Sequence, residues 1–551
     1  AEVEILVNGK VEQTIYVRLA DSQIDYTVPL DLTPYTSKGD VLLNIVSENS
    51  RSHSREVADY VCWEEMKMAD SFDTTNREKY RPAFHHTPLY GWMNDPNGMF
   101  YKDGRWHLYY QYNPYGSKWQ NMSWGHSSSA DLVNWEHHPV ALVPNGLGSV
   151  FSGSAVVDKN GTAGYGKDAV IALYTSAGDS QVQSLAYSND NGMTFTNYPG
   201  NPVIPNAREA RDPNMFWYEP GNCWVLVLAD ATEQQMQFYT SPDLKDWTYQ
   251  SSFGKGYGSQ FGVWECPDFF ELPVAGTNKK KWVLVCNINP GGPFGGSATQ
   301  YFVGDFDGKT FTCDSPAQMS KWMDYGKDHY ATVSWSNAPA DRRTVIGWMS
   351  NWQYANDVPT MQFRSANTLP RDLGLFRDSD GEIYLSVVPS PEVNKLRATP
   401  TSYGASTIGA DAVSYNLPTA NDGICEIVLD YNAKGCRQLE MKLSNDKGDE
   451  IIMTIDPAKQ EMSMNRPQSG PKKFSRRFEA LTIAPLHNPK AAGQLRIFID
   501  RCSIEIFDGE GKFAMTNLVF PTAPYSKFTV SADGGRAKIN SVNIYPLNPQ
   551  K

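Results

Sequence analysis

The chain has 551 residues, which is too long for a single hydrophobic core and predicts roughly two to four domains. Hydrophobic residues make up 40% and charged residues 20% of the sequence, a balance typical of globular proteins. The net charge of −12 argues against a nucleic-acid partner, since such binding needs a basic surface. No apolar run is long enough to span a membrane, and no signal peptide is visible in the chain.

The first 75 residues are predicted to form a small β domain of unknown role. Asn8-Gly9 is a strong two-residue hairpin turn between two alternating runs. The predicted strands are residues 3–7, 11–17 and 41–46. The polar stretch 47–55 and the charged stretch 70–81 are expected to lead into the next domain.

Residues 82–388 contain a repeat. Each repeat opens a β-hairpin in which two apolar runs flank a polar turn. The hairpins begin near Asp95, Ser152, Asp212, Cys266 and Tyr330, at intervals of 57, 60, 54 and 64 residues. A second pattern, S-x-D-L-x-x-W, recurs at residues 129–135 and 241–247, with looser copies at 188–195 and 305–311. Five units of this length predict a five-bladed β-propeller, because a single sandwich needs no such period.

Acidic residues stand at equivalent points of three repeats. Asp95 and Asp212 each precede a proline, and Glu265 lies one residue before Cys266-Pro267. The first strand of each propeller blade lines the central channel, so these positions are expected to meet at one end of it. One Asp-Pro-Asn sequence is an ordinary turn, but three coincident acids indicate a site. Paired carboxyl groups are what glycoside hydrolysis requires.

Residues 395–551, after a short linker at 391–396, are predicted to form an antiparallel β-sandwich with a structural role. The predicted strands are residues 425–429, 439–443, 451–455, 495–499, 503–507, 528–530 and 539–545. Glu505 alternates with Ile504 and Ile506, which indicates that it points outward from its strand.

The cysteines and histidines do not predict a metal site. The eight cysteines are scattered without a Cys-x-x-Cys pair, and five lie within or beside strand-like runs, so we expect buried free thiols. The adjacent pairs His85-His86 and His137-His138 lack metal-ligand spacing, and surface or capping roles are expected for them. We therefore expect no metal and no cofactor.

Several ordered motifs resemble those of one family. They are Tyr-Arg-Pro-Ala-Phe-His-His at 80–86, Trp-Met-Asn-Asp-Pro-Asn-Gly at 92–98, Phe-Ser-Gly-Ser at 151–154, Arg-Asp-Pro at 211–213, Trp-Glu-Cys-Pro-Asp at 264–268, and further segments at 328–331, 347–349, 369–371 and 500–507. This set resembles glycoside hydrolase family thirty-two, the invertases, inulinases, levanases and related fructosyltransferases. The resemblance covers about residues 80–551 and implies an all-β fold, a five-bladed propeller followed by a C-terminal β-sandwich.

The resemblance also implies roles for the acids. Asp95 corresponds to the nucleophile, Glu265 to the general acid and then base, and Asp212 to a stabiliser of the transition state. Glu265 must carry a proton in the first step, whereas Asp212 must stay ionised, with Arg211 beside it in sequence as a candidate to help.

Substrate contacts are expected from amide, hydroxyl and aromatic groups, which suit the hydroxyl edges and apolar faces of sugars. The candidates that carry over are Trp92, Asn94, Gln111, Trp119, Phe151, Ser152, Arg211, Cys266, Tyr330 and Trp348. The three tryptophans could equally pack between blades. Tyr330 lies in His-Tyr-Ala, where the family more often has an aromatic residue before the tyrosine.

The main hypothesis is a secreted, periplasmic or cell-surface retaining hydrolase that removes fructose from levan- or inulin-type fructans. Within the same chemistry, an endo-acting levanase or inulinase, a sucrose-preferring invertase and a fructosyltransferase are alternatives. An inverting propeller enzyme acting on arabinose linkages would lack the Asp95 and Glu265 motifs. A non-catalytic fructan-binding propeller would be expected to have lost an acid, and none is missing.

Overall fold

The computed structural model describes residues 2–16, 30, 32–36, 38–46, 78–205, 209–339 and 342–549. The expected connection at 47–55, most of that at 70–81, and Cys62 lie outside these residues. Within them β-strands dominate, beside the α-helix Thr33–Thr36 and the 3-10 helices Glu219–Gly221 and Pro391–Leu396. None of the described helices is long and apolar enough to cross a membrane.

The N-terminal residues form a three-stranded antiparallel sheet. Its strands are Glu2–Val7, Lys10–Tyr16 and Val41–Val46, with the first in the middle. Asn8 and Gly9 have φ angles of 49° and 79°, the left-handed conformation that a tight two-residue hairpin needs. The predicted hairpin and third strand are therefore confirmed, except for Val17, which lies outside the described residues. Val3, Ile5 and Ile15 are buried on one face.

Five antiparallel sheets follow, and they are the blades of the predicted propeller. Blade one comprises the strands Gly91–Lys102, Arg105–Asn113, Ser123–Ser129 and Glu136–Leu142, and blade two comprises Ser149–Asp158, Ala169–Ala177, Gln181–Ser188 and Thr196–Asn197. Blade three comprises Ala210–Tyr218, Cys223–Asp230, Gln235–Ser241 and Thr248–Phe253, and blade four comprises Val263–Pro273, Lys280–Asn289, Ala298–Phe306 and Phe311–Cys313, with Lys321–Trp322 as an added strand. Blade five comprises Tyr330–Ser334, Thr344–Trp348, Arg371–Arg377 and Ile383–Pro389. Strands such as Cys223–Asp230 are buried almost throughout, because adjacent blades cover both faces, so their sequences are continuous apolar runs.

The ring closes between blades five and one. The first strand of each blade contacts the first strands of both neighbouring blades, including the pair Tyr330–Ser334 and Gly91–Lys102. Phe363–Arg364, in the connection between the second and third strands of blade five, pairs in parallel with the start of Gly91–Lys102. The first strands therefore line a common channel, as the sequence period predicts.

Each first strand carries a β-bulge at the same place. The register shifts lie between Met93 and Pro96, Val150 and Gly153, Arg211 and Asn214, Glu265 and Asp268, and Tyr330 and Val333. A bulge leaves residues out of the ladder and re-aims their side chains. The five positions named from the sequence as hairpin starts all lie in or beside these bulges.

The S-x-D-L-x-x-W pattern forms the turn before the fourth strand in blades one and three. Asp131 accepts the backbone N–H groups of Val133 and Asn134, and Asp243 accepts those of Lys245 and Asp246. Both acids also accept the hydroxyl of the serine two residues earlier. The repeated pattern therefore reflects turn chemistry and not a functional site.

Two sheets after residue 400 form the predicted β-sandwich. One contains Thr401–Tyr403, Ser406–Ile408, Ala537–Pro546, Cys425–Asn432, Ala492–Ile499, Ser503–Asp508 and Ala514–Leu518; the other contains Val413–Asn416, Lys527–Asp533, Gln438–Ser444, Glu450–Asp456, Glu461–Asn465 and Leu481–Pro485. All seven strands predicted from the sequence are present, and the six others were missed. A continuous apolar core lies between the sheets.

The propeller and the sandwich share a buried polar network. His85 Nδ1 lies 2.8 Å from Asp500 Oδ2, and His85 Nε2 lies 2.8 Å from Glu505 Oε1. Arg371 donates to Glu505 Oε2 at 2.5 Å and to Asp324 Oδ2 at 2.8 Å. Surface or capping roles for His85 and His86 are therefore wrong, since both are buried. Glu505 does point out of the sandwich core, but the propeller covers it completely.

Candidate active site

Two of the three acids meet around one cysteine. Cys266 Sγ lies 3.3 Å from Asp95 Oδ2 and 3.5 Å from Asp212 Oδ2, while the Cys266 backbone N–H donates to Asp212 Oδ2 at 2.9 Å. Asp212 and Cys266 have φ angles of 63° and 43°. These left-handed bulge conformations are unusual for residues other than glycine and are common at functional sites. The bulges of blades one, three and four thus bring together residues 171 positions apart.

Glu265 is the third acid, and its two oxygens have different donors. Arg211 Nε donates to Glu265 Oε1 at 3.0 Å, and the Tyr330 hydroxyl donates to Glu265 Oε2. Arg211 Nη1 also lies 3.8 Å from the exposed carboxylate of Glu209. The guanidinium therefore pairs with Glu265 and not with Asp212, its neighbour in sequence.

Asp95 is held by side chains from its own bulge and the next. Asn94 Nδ2 donates to Asp95 Oδ1 at 3.0 Å, and the Ser152 hydroxyl donates to Asp95 Oδ2 at 2.8 Å. Asn94 Oδ1 accepts a hydrogen bond from Trp92 Nε1 at 2.8 Å. These contacts fix the carboxylate without placing a positive charge beside it.

The charges of the site are coupled. Burial raises the pKa of Asp95, and the charge of Glu265 raises it further, while the hydrogen bonds from Asn94, Ser152 and Cys266 lower it in part. Burial and the charge of Glu265 also raise the pKa of Asp212, to about 7, against the opposing charge of Arg211. The expectation that Asp212 stays ionised remains a prediction: burial and the charge of Glu265 oppose ionisation, whereas the charge of Arg211 and the N–H of Cys266 favour it.

The neutral donors keep their protons. Burial, followed by the charges of Asp212 and Asp95, raises the pKa of the Cys266 thiol well above its ordinary value. Burial and the charge of Glu265 do the same for the Tyr330 phenol. Cys266 and Tyr330 therefore act as neutral hydrogen-bond donors to the acids, and neither is a nucleophile in this environment.

Aromatic side chains surround the acids. Trp92 and Trp348 are fully buried, and Trp348 lies 6.3 Å from Tyr330 between ring centroids. Trp352 stacks on Trp92 at 5.8 Å and lies 6.5 Å from Trp119, which is 43% exposed. Phe151, next to Ser152, approaches Trp119 edge-on at 6.2 Å. The rings form a wall from Trp92, beside the acids, out to Trp119 at the surface.

Gln111 has a different position from the other candidates. It is buried, and its Nε2 donates to the backbone oxygen of Val150 at 3.1 Å. Val150 is the last paired residue before the bulge that carries Ser152. The side chain therefore supports the bulge of blade two from blade one.

Two contributors were missed from the sequence. Thr175 Oγ1 accepts the backbone N–H of Asp212 at 3.0 Å and donates to Gln183, so it holds the bulge of blade three. Trp352 joins Trp92, Trp348 and Trp119 in the aromatic wall. A threonine in a strand carries no distinctive pattern, and Trp352 was one of 15 tryptophans, near Trp348 but outside the quoted motifs.

Comparison with known proteins identifies the family. The model of the glycosyl hydrolases family 32 N-terminal domain matches residues 85–386, and that of the family 32 C-terminal domain matches residues 392–546. The chain belongs to glycosyl hydrolase family 32. Residues 1–84 match a domain of unknown function, DUF4980.

Individual members of family 32 agree with this assignment. A levanase of Bacillus subtilis (strain 168) is 44% identical over 493 residues, which cover 87% of this chain and 72% of the levanase. An extracellular exo-inulinase of Aspergillus awamori is 37% identical over 525 residues, covering 88% of this chain and 97% of the inulinase. The crystal structure of the Aspergillus awamori exo-inulinase superimposes with a TM-score of 0.79 at 35% identity, covering 87% of this chain and all of that chain. The predicted family and fold class are therefore confirmed, and the chain is a glycoside hydrolase.

Proposed function

We propose that this family 32 enzyme is a retaining fructan hydrolase that releases fructose from the ends of β-fructofuranosidic chains. The proposal is carried by the arrangement of Asp95, Asp212 and Glu265 on equivalent bulges, around Cys266. Similarity to a levanase and to exo-inulinases supports a fructan as the substrate and terminal cleavage as the mode.

In the first step a carboxylate oxygen of Asp95 attacks C2 of the terminal fructosyl unit. The bond from C2 to the glycosidic oxygen breaks, and Glu265 gives its proton to that oxygen. Asp212 in its ionised form stabilises the positive charge that develops on the fructosyl ring. The hydrogen bonds from Asn94 and Ser152 hold Asp95 in position for the attack.

In the second step Glu265, now a carboxylate, takes a proton from water. The water oxygen attacks C2 and the bond to Asp95 breaks, which restores both acids. Two inversions at C2 give net retention. The expected separation of the carboxyl groups of Asp95 and Glu265 is about 5–5.5 Å, which leaves no room for a water between the acid and the sugar.

The remaining assignments follow from this reaction. Residues 82–388 act as the catalytic domain and 395–551 as its structural partner, with 1–75 a separate N-terminal domain. The exposed Trp119 is assigned to direct sugar contact, the buried Trp92, Trp348 and Tyr330 to the wall of the fructose pocket, and Arg211 to the positioning of Glu265. A polymeric substrate and the extracellular exo-inulinase relatives favour action outside the cytoplasm.

Product analysis tests the proposal. We expect fructose as the sole early product from levan or inulin, and NMR should show the β-anomer first. A ladder of oligosaccharides would mean endo cleavage, and a marked preference for sucrose would mean an invertase. First-formed fructose inverted at C2 would refute the role of Asp95, because a water would then take its place.

Asp95→Ala should lower kcat by at least about 10⁴-fold, with Asn44→Ala on the N-terminal sheet as the control.

A further inference from the structure

We propose that Asn287 is a positioning residue that aligns Glu265 for proton transfer by fixing the bulge of blade four against the bulge of blade five. This inference rests on the proposed function, because it takes Glu265 as the group that protonates the leaving oxygen. Asn287 lies in the second strand of blade four and is paired with Glu265 in the antiparallel ladder. Its side chain is fully buried and contacts the first strands of both blades.

The amide of Asn287 uses both of its ends. Its Nδ2 donates to the backbone oxygen of Cys266 at 2.8 Å, and its Oδ1 accepts the backbone N–H of Thr332 at 3.1 Å. Nδ2 also lies 3.4 Å from the backbone oxygen of Thr332. The Thr299 hydroxyl donates to Asn287 Oδ1 at 2.6 Å. Both polar atoms of this buried amide therefore have partners, and such a satisfied network holds the side chain in one orientation.

The backbone that this amide holds includes two residues in the left-handed conformation. Cys266 has a φ of 43°, and Ala331 has a φ of 53°. A residue other than glycine keeps such a conformation only where its surroundings enforce it. Glu265 directly precedes Cys266, and Tyr330 directly precedes Ala331. The two constrained residues therefore set the directions in which the Glu265 and Tyr330 side chains point.

Glu265 and Tyr330 must be aligned across the boundary between the blades. The Tyr330 hydroxyl donates to Glu265 Oε2, so this hydrogen bond depends on how the two bulges lie relative to each other. Farther along the same two strands, the Ser334 backbone N–H donates to Asp268 Oδ2 at 2.7 Å. That contact still joins the strands when Asn287 is replaced, so the effect of the replacement should be local to the bulges.

The consequence for catalysis is selective. Without the amide, Glu265 should spend less time in the geometry that proton transfer needs. Asp95 should be little affected, because its donors Asn94 and Ser152 belong to blades one and two. A substrate whose leaving group must be protonated should therefore lose more activity than a substrate whose leaving group needs no proton. A merely structural role would lower the activity on both alike.

The experiment compares kcat/KM for a fructo-oligosaccharide of defined length with kcat/KM for fructosyl fluoride, since this ratio reports the steps through the first bond cleavage. Asn287→Ala should lower the value for the oligosaccharide about 10- to 100-fold and the value for fructosyl fluoride less than about three-fold. Thr299→Val keeps the amide but removes the hydroxyl that orients it. This variant should lower only the oligosaccharide value, about 2- to 5-fold, and it carries the test even if Asn287→Ala does not fold.

Asn201→Ala is the matched control. Asn201 also braces backbone with both ends of its amide, since it accepts the N–H of Leu185 at 2.8 Å and donates to the Leu185 oxygen at 2.9 Å. These contacts lie within blade two and away from the three acids. The variant should leave the ratio of the two kcat/KM values unchanged.

A double-mutant cycle tests whether Asn287 acts through Glu265. In the Glu265→Gln background no carboxylic acid remains to be aligned, so adding Asn287→Ala should not lower kcat/KM for the oligosaccharide further. A further loss there, or equal losses or no loss on the two substrates in Asn287→Ala and Thr299→Val, would overturn the inference. If Glu265→Gln itself lowered both substrates equally, the proposed role of Glu265 would fail instead, so the two failures are distinguishable.

Discussion

At the scale of single residues, the site contains more carboxyl groups than positive charges to balance them. Asp95, Asp212 and Glu265 interact through their charges, and Arg211 is hydrogen-bonded to Glu265. Such groups titrate together, so a proton remains on the cluster well above the ordinary pKa of an aspartate. A retained proton suits a reaction that begins with protonation of a leaving group.

Removing the charge of Glu265 should lower the pKa of Asp95, because that charge is the second cause of its elevation after burial. We expect Glu265→Gln to lower kcat on levan or sucrose about 10²- to 10⁴-fold. On fructosyl fluoride, whose leaving group needs no proton, the variant should remain active. With this substrate the acid limb of kcat/KM should move to lower pH.

The matched control is Glu209→Gln. It removes a carboxylate that lies 3.8 Å from Arg211 but is exposed to solvent, so solvent screens its charge and the acid limb should not move. An acid limb that stays in place, or moves to higher pH, in Glu265→Gln would show that the charges of Asp95 and Glu265 are not coupled.

At the scale of the elements, the site is built by a β-bulge that recurs in the first strand of each of the five blades. The bulge of blade three buries Asp212 at a φ of 63°, where its carboxylate accepts the N–H of Cys266. A charged carboxylate buried at this position is unfavourable for folding, and the pKa of Asp212 is raised for this reason. In the unfolded chain this group loses its proton near pH 3.8, and in the folded protein near 7. Stability therefore falls as the pH rises between these values.

Asp212→Asn should consequently stabilise the fold at pH 8 by about 0.5–2 kcal/mol, while it lowers kcat by about 10²–10³-fold. Asparagine tolerates the left-handed bulge and still accepts the Cys266 N–H. The gain should vanish at pH 4, where aspartate is already protonated in the folded protein. Thermal unfolding at both pH values measures the effect.

Asp243→Asn provides a comparison of opposite sign. Burial tends to raise the Asp243 pKa, but the N–H groups of Asp246 and Lys245 and the Ser241 hydroxyl outweigh it and lower the pKa. This acid therefore stabilises the fold above its unfolded pKa, and its replacement should reduce stability at pH 8. If both variants shifted stability in the same direction, burial of charge would not be the cause at Asp212.

At the scale of the whole molecule, the propeller and the sandwich are joined by apolar packing and by buried charges. Phe498 and Phe507 of the sandwich lie in one buried cluster with Phe84 and with residues of blades four and five. Within the polar network, burial alone would lower the pKa of His85. Hydrogen bonds to Asp500 and Glu505, with their charges, outweigh burial and raise it to about 9.

His85 should make the stability of the protein depend on pH above neutrality. Its contribution is complete below pH 6.5, the ordinary pKa of histidine, and is lost as the pH rises through about 9. His85→Gln should lower the free energy of unfolding at pH 6.5 by about 3–5 kcal/mol, because it removes the cation beside the buried Asp500 and leaves Glu505 with Arg371 alone. The loss should shrink toward pH 9.5, as measured by calorimetry.

His487→Gln is the control for this prediction. His487 Nδ1 contacts Asp378 Oδ2 at 2.6 Å between the sandwich and blade five, but both side chains are partly exposed. Its replacement should cost less than about 1 kcal/mol. A pH dependence that persists unchanged in His85→Gln would place its origin outside the buried network.

The sequence by itself determined the repeat and the hairpins, and the five positions that it marks as hairpin starts lie in or beside the bulges, although the bulges themselves were not predicted. These features are local, since a proline after Asp95 or Asp212 and an Asn-Gly pair at residues 8–9 restrict the backbone wherever they occur. The seven sandwich strands with strong alternation were recognisable for the same reason. The short strands Thr401–Tyr403 and Ser406–Ile408 were not, because pairing with Ala537–Pro546 and not their own composition makes them strands.

Only the tertiary structure decided which charged side chains interact with each other and which side chains are covered by another domain. Arg211 is adjacent to Asp212 in sequence, yet it pairs with Glu265, 54 residues away, because the two neighbouring bulges direct these side chains toward each other. Glu505 looks outward from its own sheet and is buried because His85 and Arg371 of the propeller cover it. Such contacts depend on how whole blades and domains pack, and no local pattern encodes them.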